Sequence, residues 1–179
     1  MNIRFLTYAL ILSILFPTIK PENNSTINYI HVLFEWEDEL VETYNLIVTS
    51  NGTTVLDIDT SNPFYIEEDN IEWNSTYSWQ VCQALSGCSD TYSFSTGSEI
   101  ELENLQFLEM NPTGYYNGIT IFGNMTSQYS IAIDKDGRQI WNSGGENTFS
   151  YFNYDQKGRF YGGKFTDGNG VPGIEFDIN

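Results

Sequence analysis

Short stretches in which apolar and polar residues alternate occupy the middle of the chain. A period of two places successive side chains on opposite faces of a β-strand, so one face of each stretch can be buried. The candidate strands lie at residues 31–36, 42–50, 53–60, 63–68, 75–83 and 90–96. The pair Asn51-Gly52 between two of them is typical of a tight hairpin turn. Short strands at this spacing predict an all-β sandwich.

The segment IEWNSTYSWQV, residues 71–81, resembles the E–F corner and F strand of fibronectin type III domains. In that family a Leu-like residue precedes the corner Tyr by six positions, and Ile71 precedes Tyr77 by that distance. Asn74 replaces the usual Gly, a mild departure because Asn tolerates left-handed backbone angles. The resemblance implies a fibronectin type III-like β-sandwich over residues 28–97, with the Tyr77 hydroxyl bonded to the corner backbone.

A hairpin repeat follows the sandwich pattern. Asp134, Asp155 and Asp177 stand 21 and 22 residues apart, and each follows an alternating apolar strand. Arg138 and Arg159 open the returning strands at the same place in the repeat, which makes them turn-flanking residues. Two such hairpins predict an antiparallel four-stranded sheet of the size of a β-propeller blade.

Residues 117–163 resemble the first blade of arylsulfotransferase-type propellers. The shared features are a Tyr before an apolar strand, an Asp-x-x-Gly turn, and the Gly-Arg-x-Ile-Trp pattern that ends at Trp141. Members of that family transfer sulfate between phenols through histidine, without the nucleotide donor PAPS. The resemblance implies a partial propeller over residues 114–179, joined to the sandwich by a linker at 98–113. Because the repeat is interrupted, we expect a truncated propeller, and hence a fragment of a longer protein; the alternative is a C-terminal part that folds as a small sheet packed on the sandwich.

Two classes of function remain open at this point. The chain is the N-terminal portion of a secreted arylsulfotransferase-like propeller protein, not catalytic on its own, or a secreted or cell-surface interaction protein without enzymatic activity. The only histidine, His31, starts a strand of the sandwich, so the family's catalytic histidines have no counterpart in the propeller-like part. We therefore predict no catalytic, cofactor-binding or metal-binding residue in this chain.

The turn at Asp134 has two interpretations, a hairpin turn and the start of a calcium loop. With Asp134 as position 1 of such a loop, Gly137 falls at position 4 rather than 6. Position 12, which requires Glu, is Gly145. The spacing favours a hairpin turn.

The N-terminus is typical of a signal peptide, predicted over residues 1–20. Its apolar core at residues 5–16 is too short to span a bilayer. We expect cleavage between Pro17 and Pro21, with an uncleaved anchor as the alternative. The protein is then secreted, periplasmic or on the cell surface.

Export would allow covalent modification of several other residues. In an oxidising compartment Cys82 and Cys88 can form a disulfide across a hairpin. Five Asn-x-Ser/Thr sequons become possible glycosylation sites, although a chain rich in Asn, Ser and Thr also contains sequons by chance. They are Asn23, Asn24, Asn51, Asn74 and Asn124.

The net charge of −17 argues against nucleic acid and anionic lipid as partners. After signal removal we expect no membrane contact. An unidentified protein or glycan partner stays open, the latter because the 12 Tyr could form a carbohydrate-binding surface.

Overall fold

The computed structural model describes residues 19–39, 41–84, 87–101, 118–124, 129–144, 149–156, 159–164 and 173–176. These ranges contain β-strands and no helix, which confirms the predicted all-β class. The strands are β1 (Ser25–Ile27), β2 (Val32–Glu35), β3 (Tyr44–Ser50), β4 (Thr53–Thr60), β5 (Phe64–Glu67), β6 (Thr76–Gln83), β7 (Gly87–Cys88), β8 (Tyr92–Thr96), β9 (Thr120–Asn124), β10 (Tyr129–Ile133), β11 (Gln139–Asn142), β12 (Ser150–Tyr154), β13 (Phe160–Gly163) and β14 (Gly173–Phe176).

The first eight strands form the sandwich. One sheet has the order β1-β8-β6-β3-β4, with β7 paired to β6, and the other consists of β2 and β5. Alternation along the strands directs large apolar side chains between the sheets, as the sequence predicts. Phe34 of β2 meets Trp79 of β6 edge to face, with ring centroids 5.4 Å apart, and Phe94 of β8 at 5.9 Å. Aromatic packing of this kind stabilises the core beyond simple burial.

The corner before β6 has the predicted geometry. The Tyr77 hydroxyl accepts a hydrogen bond of 2.8 Å from the backbone N–H of Glu72. Ile71 is buried, and Asn74 has a φ of 53°, the left-handed angle expected for the residue that replaces Gly. Asn51 and Gly52 also have positive φ, 50° and 78°, and join β3 to β4 in the predicted hairpin.

The C-terminal half differs from the predicted four-stranded sheet. In the described residues it contains two three-stranded antiparallel sheets, β11-β10-β9 and β12-β13-β14. The two repeated hairpins therefore lie in different sheets. The cause is close backbone packing of β12 on β9, because a Cβ built on Gly123 would lie 2.6 Å from the backbone nitrogen of Tyr151. β12 therefore lies across the face of β9 and does not extend its sheet. In the described residues, the backbone of β12 pairs with β13 alone.

A segment of the sandwich joins β11 as its outer neighbour. Ile30 N–H donates to the carbonyl of Ile140 at 2.9 Å, and Asn142 N–H donates to the carbonyl of Asn28 at 3.0 Å. On the other side of the same segment, the carbonyl of Ile27 accepts from Gly97 N–H at 2.8 Å, directly after β8. Residues 25–30, here called the shared strand, thus contact both regions: β1 pairs with β8 of the sandwich, and Tyr29 forms an isolated bridge with Trp141 at the edge of the three-stranded β9–β11 sheet.

The hydrophobic core is correspondingly continuous. Ala132, Ile140, Trp141 and Phe149 belong to the same buried cluster as the sandwich residues. The predicted signal core at residues 5–16, residues 102–113 of the predicted linker, and Asp177 lie outside the described residues.

Candidate functional site

The two repeated turns share the same hydrogen bonds between their Asp and Arg residues. Asp134 Oδ1 accepts from Arg138 N–H at 2.9 Å, and Asp155 Oδ1 accepts from Arg159 N–H at 3.0 Å. Each guanidinium then donates from Nε to the second carboxylate oxygen, at 3.2 Å and 2.9 Å respectively. Gly137 has a φ of 81°, as a tight turn requires. The hairpin interpretation of Asp134 is confirmed, and both arginines flank turns.

These turn carboxylates have little free capacity for a cation. Asp134 Oδ1 also accepts from Asp136 N–H at 2.9 Å, so both oxygens of Asp134 already face donors. Among the described residues, no group of three His, Cys, Asp or Glu side chains is arranged to hold a metal ion. That the turn binds no calcium stays a prediction.

His31 lies at the junction between the sandwich and the β10–β11 hairpin. Arg138 Nη2 is 3.1 Å from His31 Nε2 and also donates to the carbonyl of Glu68. Because a guanidinium only donates, this contact is a hydrogen bond in the His31 tautomer whose Nε2 is the acceptor. The sequence predicts a surface residue at a strand start, and His31 is half-buried at the start of β2. Within the described part of the chain, no hydrogen bond joins His31 to a carboxylate or a serine, the partners that nucleophilic catalysis uses.

Buried polar side chains complete the junction. Trp73 Nε1 donates to the carbonyl of Gln139 at 2.9 Å. The Gln139 side chain, 2% exposed, donates from Nε2 to the carbonyl of Ile100 at 3.1 Å. Asn142 Nδ2 donates to the carbonyl of Ser98 at 3.0 Å. The chain leaving the sandwich is therefore fixed to β11 by side-chain amides, which sequence reasoning missed.

A cleft of about 740 Å³ lies beside this junction. Its lining includes Lys20, His31, Leu33, Ile119 and Trp141. Trp141 is only 8% exposed and offers little ring surface to a ligand. The described residues that line the cleft include no hydrogen-bonded pair of a serine nucleophile and a histidine base.

Tyr29 lies at the same cleft, in the shared strand. Burial, and to a lesser degree the charge of Glu22, raise the pKa of the Tyr29 phenol above its ordinary value. The phenol therefore stays protonated at neutral pH.

The predicted disulfide is present. Cys82 and Cys88 are opposite each other in the β6–β7 pair, with their sulfurs 2.06 Å apart. By the chain-entropy model such a small loop adds roughly 2 kcal/mol of stability.

Three of the five sequon asparagines have positive φ, which explains their residue type by backbone geometry alone. They are Asn24, Asn51 and Asn74. Asn124 is half-buried, and its Nδ2, the atom to which a glycan attaches, donates to the Tyr129 hydroxyl at 3.3 Å. Asn23, Asn24, Asn51 and Asn74 are all exposed, and Asn51 lies at a hairpin tip.

Comparison with known protein families gives no matching family model, and no characterised protein is significantly similar to the chain. In the described part of the chain, no helix is long and apolar enough to cross a bilayer.

Proposed function

We propose that this chain is the N-terminal portion of a secreted arylsulfotransferase-like, PAPS-independent propeller protein and does not catalyse on its own. The observation that carries the proposal is the repeated Asp–Arg hairpin. Its turn bonds agree between residues 134–138 and 155–159, and each copy lies in its own antiparallel sheet. Repeated small antiparallel sheets that stack on one another are the construction principle of propellers.

The shared strand supports the same proposal. In the β9–β11 sheet, residues 28–30 occupy the outer position next to β11. A sheet with four strands is the usual size of a blade. Covering the β11 edge also removes unpaired N–H and C=O groups that would otherwise invite aggregation. The sandwich then acts as an accessory module that completes the first blade.

The scarcity of histidine supports the proposal that this chain does not catalyse on its own. His31 is the only histidine in the chain, and it is engaged by Arg138. Sulfuryl transfer at neutral pH needs a nucleophile or base that His supplies best. In the proposed parent protein, the reactive groups lie on other blades.

Secretion rests on the predicted leader, the acidic composition and the disulfide between Cys82 and Cys88. A disulfide persists in oxidising compartments and is rare in reducing ones.

A second function is favoured by one specific observation. Phe64 and Ile66 are 47% and 51% exposed on the outer face of the β2–β5 sheet, and Ile66 is opposite Leu33. Exposed apolar side chains on one face can mark an interaction site. The alternative is therefore a secreted or surface interaction protein without enzymatic activity.

One experiment separates the two functions. An antibody against residues 19–179 captures the native polypeptide from the source's secreted fraction, which is then sized and assayed for sulfate transfer from 4-nitrophenyl sulfate to phenol. We expect a longer polypeptide that transfers sulfate, whereas the isolated 179-residue chain transfers none. A captured protein no heavier than the 20.5 kDa of the full chain, without activity, would favour the interaction protein. Turnover by the isolated chain that is lost in His31→Ala would contradict the non-catalytic assignment.

A further inference from the structure

Residues immediately after the predicted leader belong to the folded body of the protein. Lys20 N–H donates to the carbonyl of Glu35 at 2.9 Å, and Glu35 N–H donates to the carbonyl of Lys20 at 2.8 Å. This reciprocal pair is an antiparallel bridge on the outer edge of β2, whose other edge pairs with β5. Lys20 therefore adds a single bridge residue to the edge of the smaller, two-stranded sheet of the sandwich.

The side chains around this bridge are also packed. Ile19 contacts the hydrophobic core, and Pro21 is buried. Loss of residues 19 and 20 would expose Pro21 and leave the edge of β2 without its partner. Because an unpaired backbone group that cannot reach water is costly, the fold is more stable with these residues present.

We propose that the leader is removed on the N-terminal side of Ile19, so that the mature protein keeps Ile19, Lys20 and Pro21. The proposal rests on the secretion proposed above. The proposal narrows the cleavage interval, which the sequence alone places between Pro17 and Pro21, to peptide bonds before Ile19. Hydrolysis adds one water to the peptide bond, and it leaves a carboxylate on the released leader and an ammonium group on the new terminus.

The chemistry around Lys20 also argues against cleavage directly after it. Leader peptidases prefer a small residue before the cut, and Lys20 is long and charged. Once the chain has folded, the bond after Lys20 lies beside a backbone-paired residue and a buried proline. A peptide bond in that position does not extend into a protease cleft without local unfolding.

The test uses the full chain with its own leader, expressed in a secreting host. The exported protein is analysed by N-terminal sequencing and intact mass. A first residue at Ile19 or earlier, other than Met1, supports the proposal. A first residue at Lys20, Pro21 or later overturns it, and so does an exported chain that retains Met1. A chain that stays in the cytoplasm with Met1 overturns both this proposal and the proposed secretion.

Thermal unfolding of the two candidate mature chains checks the physical reason. The chain that starts at Pro21 is expected to melt about 2–8 °C below the chain that starts at Ile19. The matched control is Lys20→Ala in the longer chain, which keeps the backbone bridge and is expected to melt within about 1 °C of it. Equal midpoints for the two mature chains would overturn the argument from the β2 edge.

Discussion

In the sandwich, the largest fully buried side chains include Trp79, Tyr44 and Phe34, whereas in the β9–β11 sheet they are Ile131, Gln139, Asn142 and Ser130. The sandwich buries a large apolar area, and a core of that kind tolerates small changes in side-chain shape. Beside apolar residues such as Ile131 and Trp141, the hairpin sheets bury polar side chains whose hydrogen bonds have fixed geometry. Their stability therefore depends on individual atoms.

Close backbone contact is the second difference between the two regions. Gly123 and Gly162 both lie where an added Cβ would meet backbone of residues 150–151, at 2.6 Å and 2.5 Å. In the sandwich, large side chains lie between the two sheets. At Gly52, no described atom lies within 4 Å of an added Cβ. A single methyl group should thus disturb the hairpin sheets more than most sites in the sandwich.

The largest expected effect is in the sandwich. Trp79→Ala should lower the free energy of unfolding by about 3–5 kcal/mol, because it removes the largest buried ring of the core. Chemical denaturation measures the change. Trp79→Phe is the matched control and should cost clearly less, since it keeps a ring and removes an indole N–H that has no hydrogen-bond partner among the described residues. Equal losses for the two variants would show that ring volume is not what stabilises this core.

The next effect is in the hairpin sheets. Gly123→Ala should cost about 1–3 kcal/mol, because its Cβ would press on the backbone of Tyr151. Gly173→Ala is the matched control, since nothing lies within 4 Å of its added Cβ. Chemical denaturation of both variants, with amide exchange of β12, distinguishes them. A Gly123→Ala protein as stable as the Gly173→Ala protein would refute the stacking of β12 on β9.

Ser130 tests the role of single polar atoms. Its hydroxyl donates to the carbonyl of Phe149 at 2.8 Å and accepts from Tyr151 N–H at 2.7 Å, fully buried between the sheets. Ser130→Ala should cost about 1–2 kcal/mol because two buried backbone groups lose their partner. Exposed Ser98→Ala is a control of the same chemistry and should be near neutral. Comparable values for the two variants would contradict the contrast between the regions.

The smallest effect is expected at the repeated turns. Asp134→Asn and Asp155→Asn should each cost about 0.2–1 kcal/mol, since each weakens a partly exposed pair with an arginine. High salt should reduce both costs by screening. Thermal unfolding at two salt concentrations measures this, and a large cost for one turn alone would argue against their equivalence.

Local patterns were sufficient to predict most of the sandwich. Alternation gave the buried faces of β3 and β6, and Asn51-Gly52 gave the hairpin that joins β3 to β4. The spacing between Ile71 and Tyr77 predicted the corner before β6, including the hydrogen bond between the Tyr77 hydroxyl and the corner backbone. Each of these signals lies within a few residues, so the sequence displays it directly.

The junction could not be predicted in the same way. The partner of Asn28 is Asn142, and no local pattern connects residues so far apart in the chain. Gln139 and Asn142 are polar residues in a strand, which usually indicates a solvent-exposed face, yet both are buried. A weak signal exists in β11, where polar and apolar residues do not alternate and all four residues are buried.

The shared strand also sets an order of events during synthesis. Residues 25–30 are among the first of the folded body to be made, but one side of them stays unpaired until Asn142 and Ile140 exist. At typical elongation rates the interval is roughly ten seconds. During that time the emerging sandwich presents an open strand edge to every neighbouring chain, so crowded translation is the condition under which this protein is most exposed to mispairing.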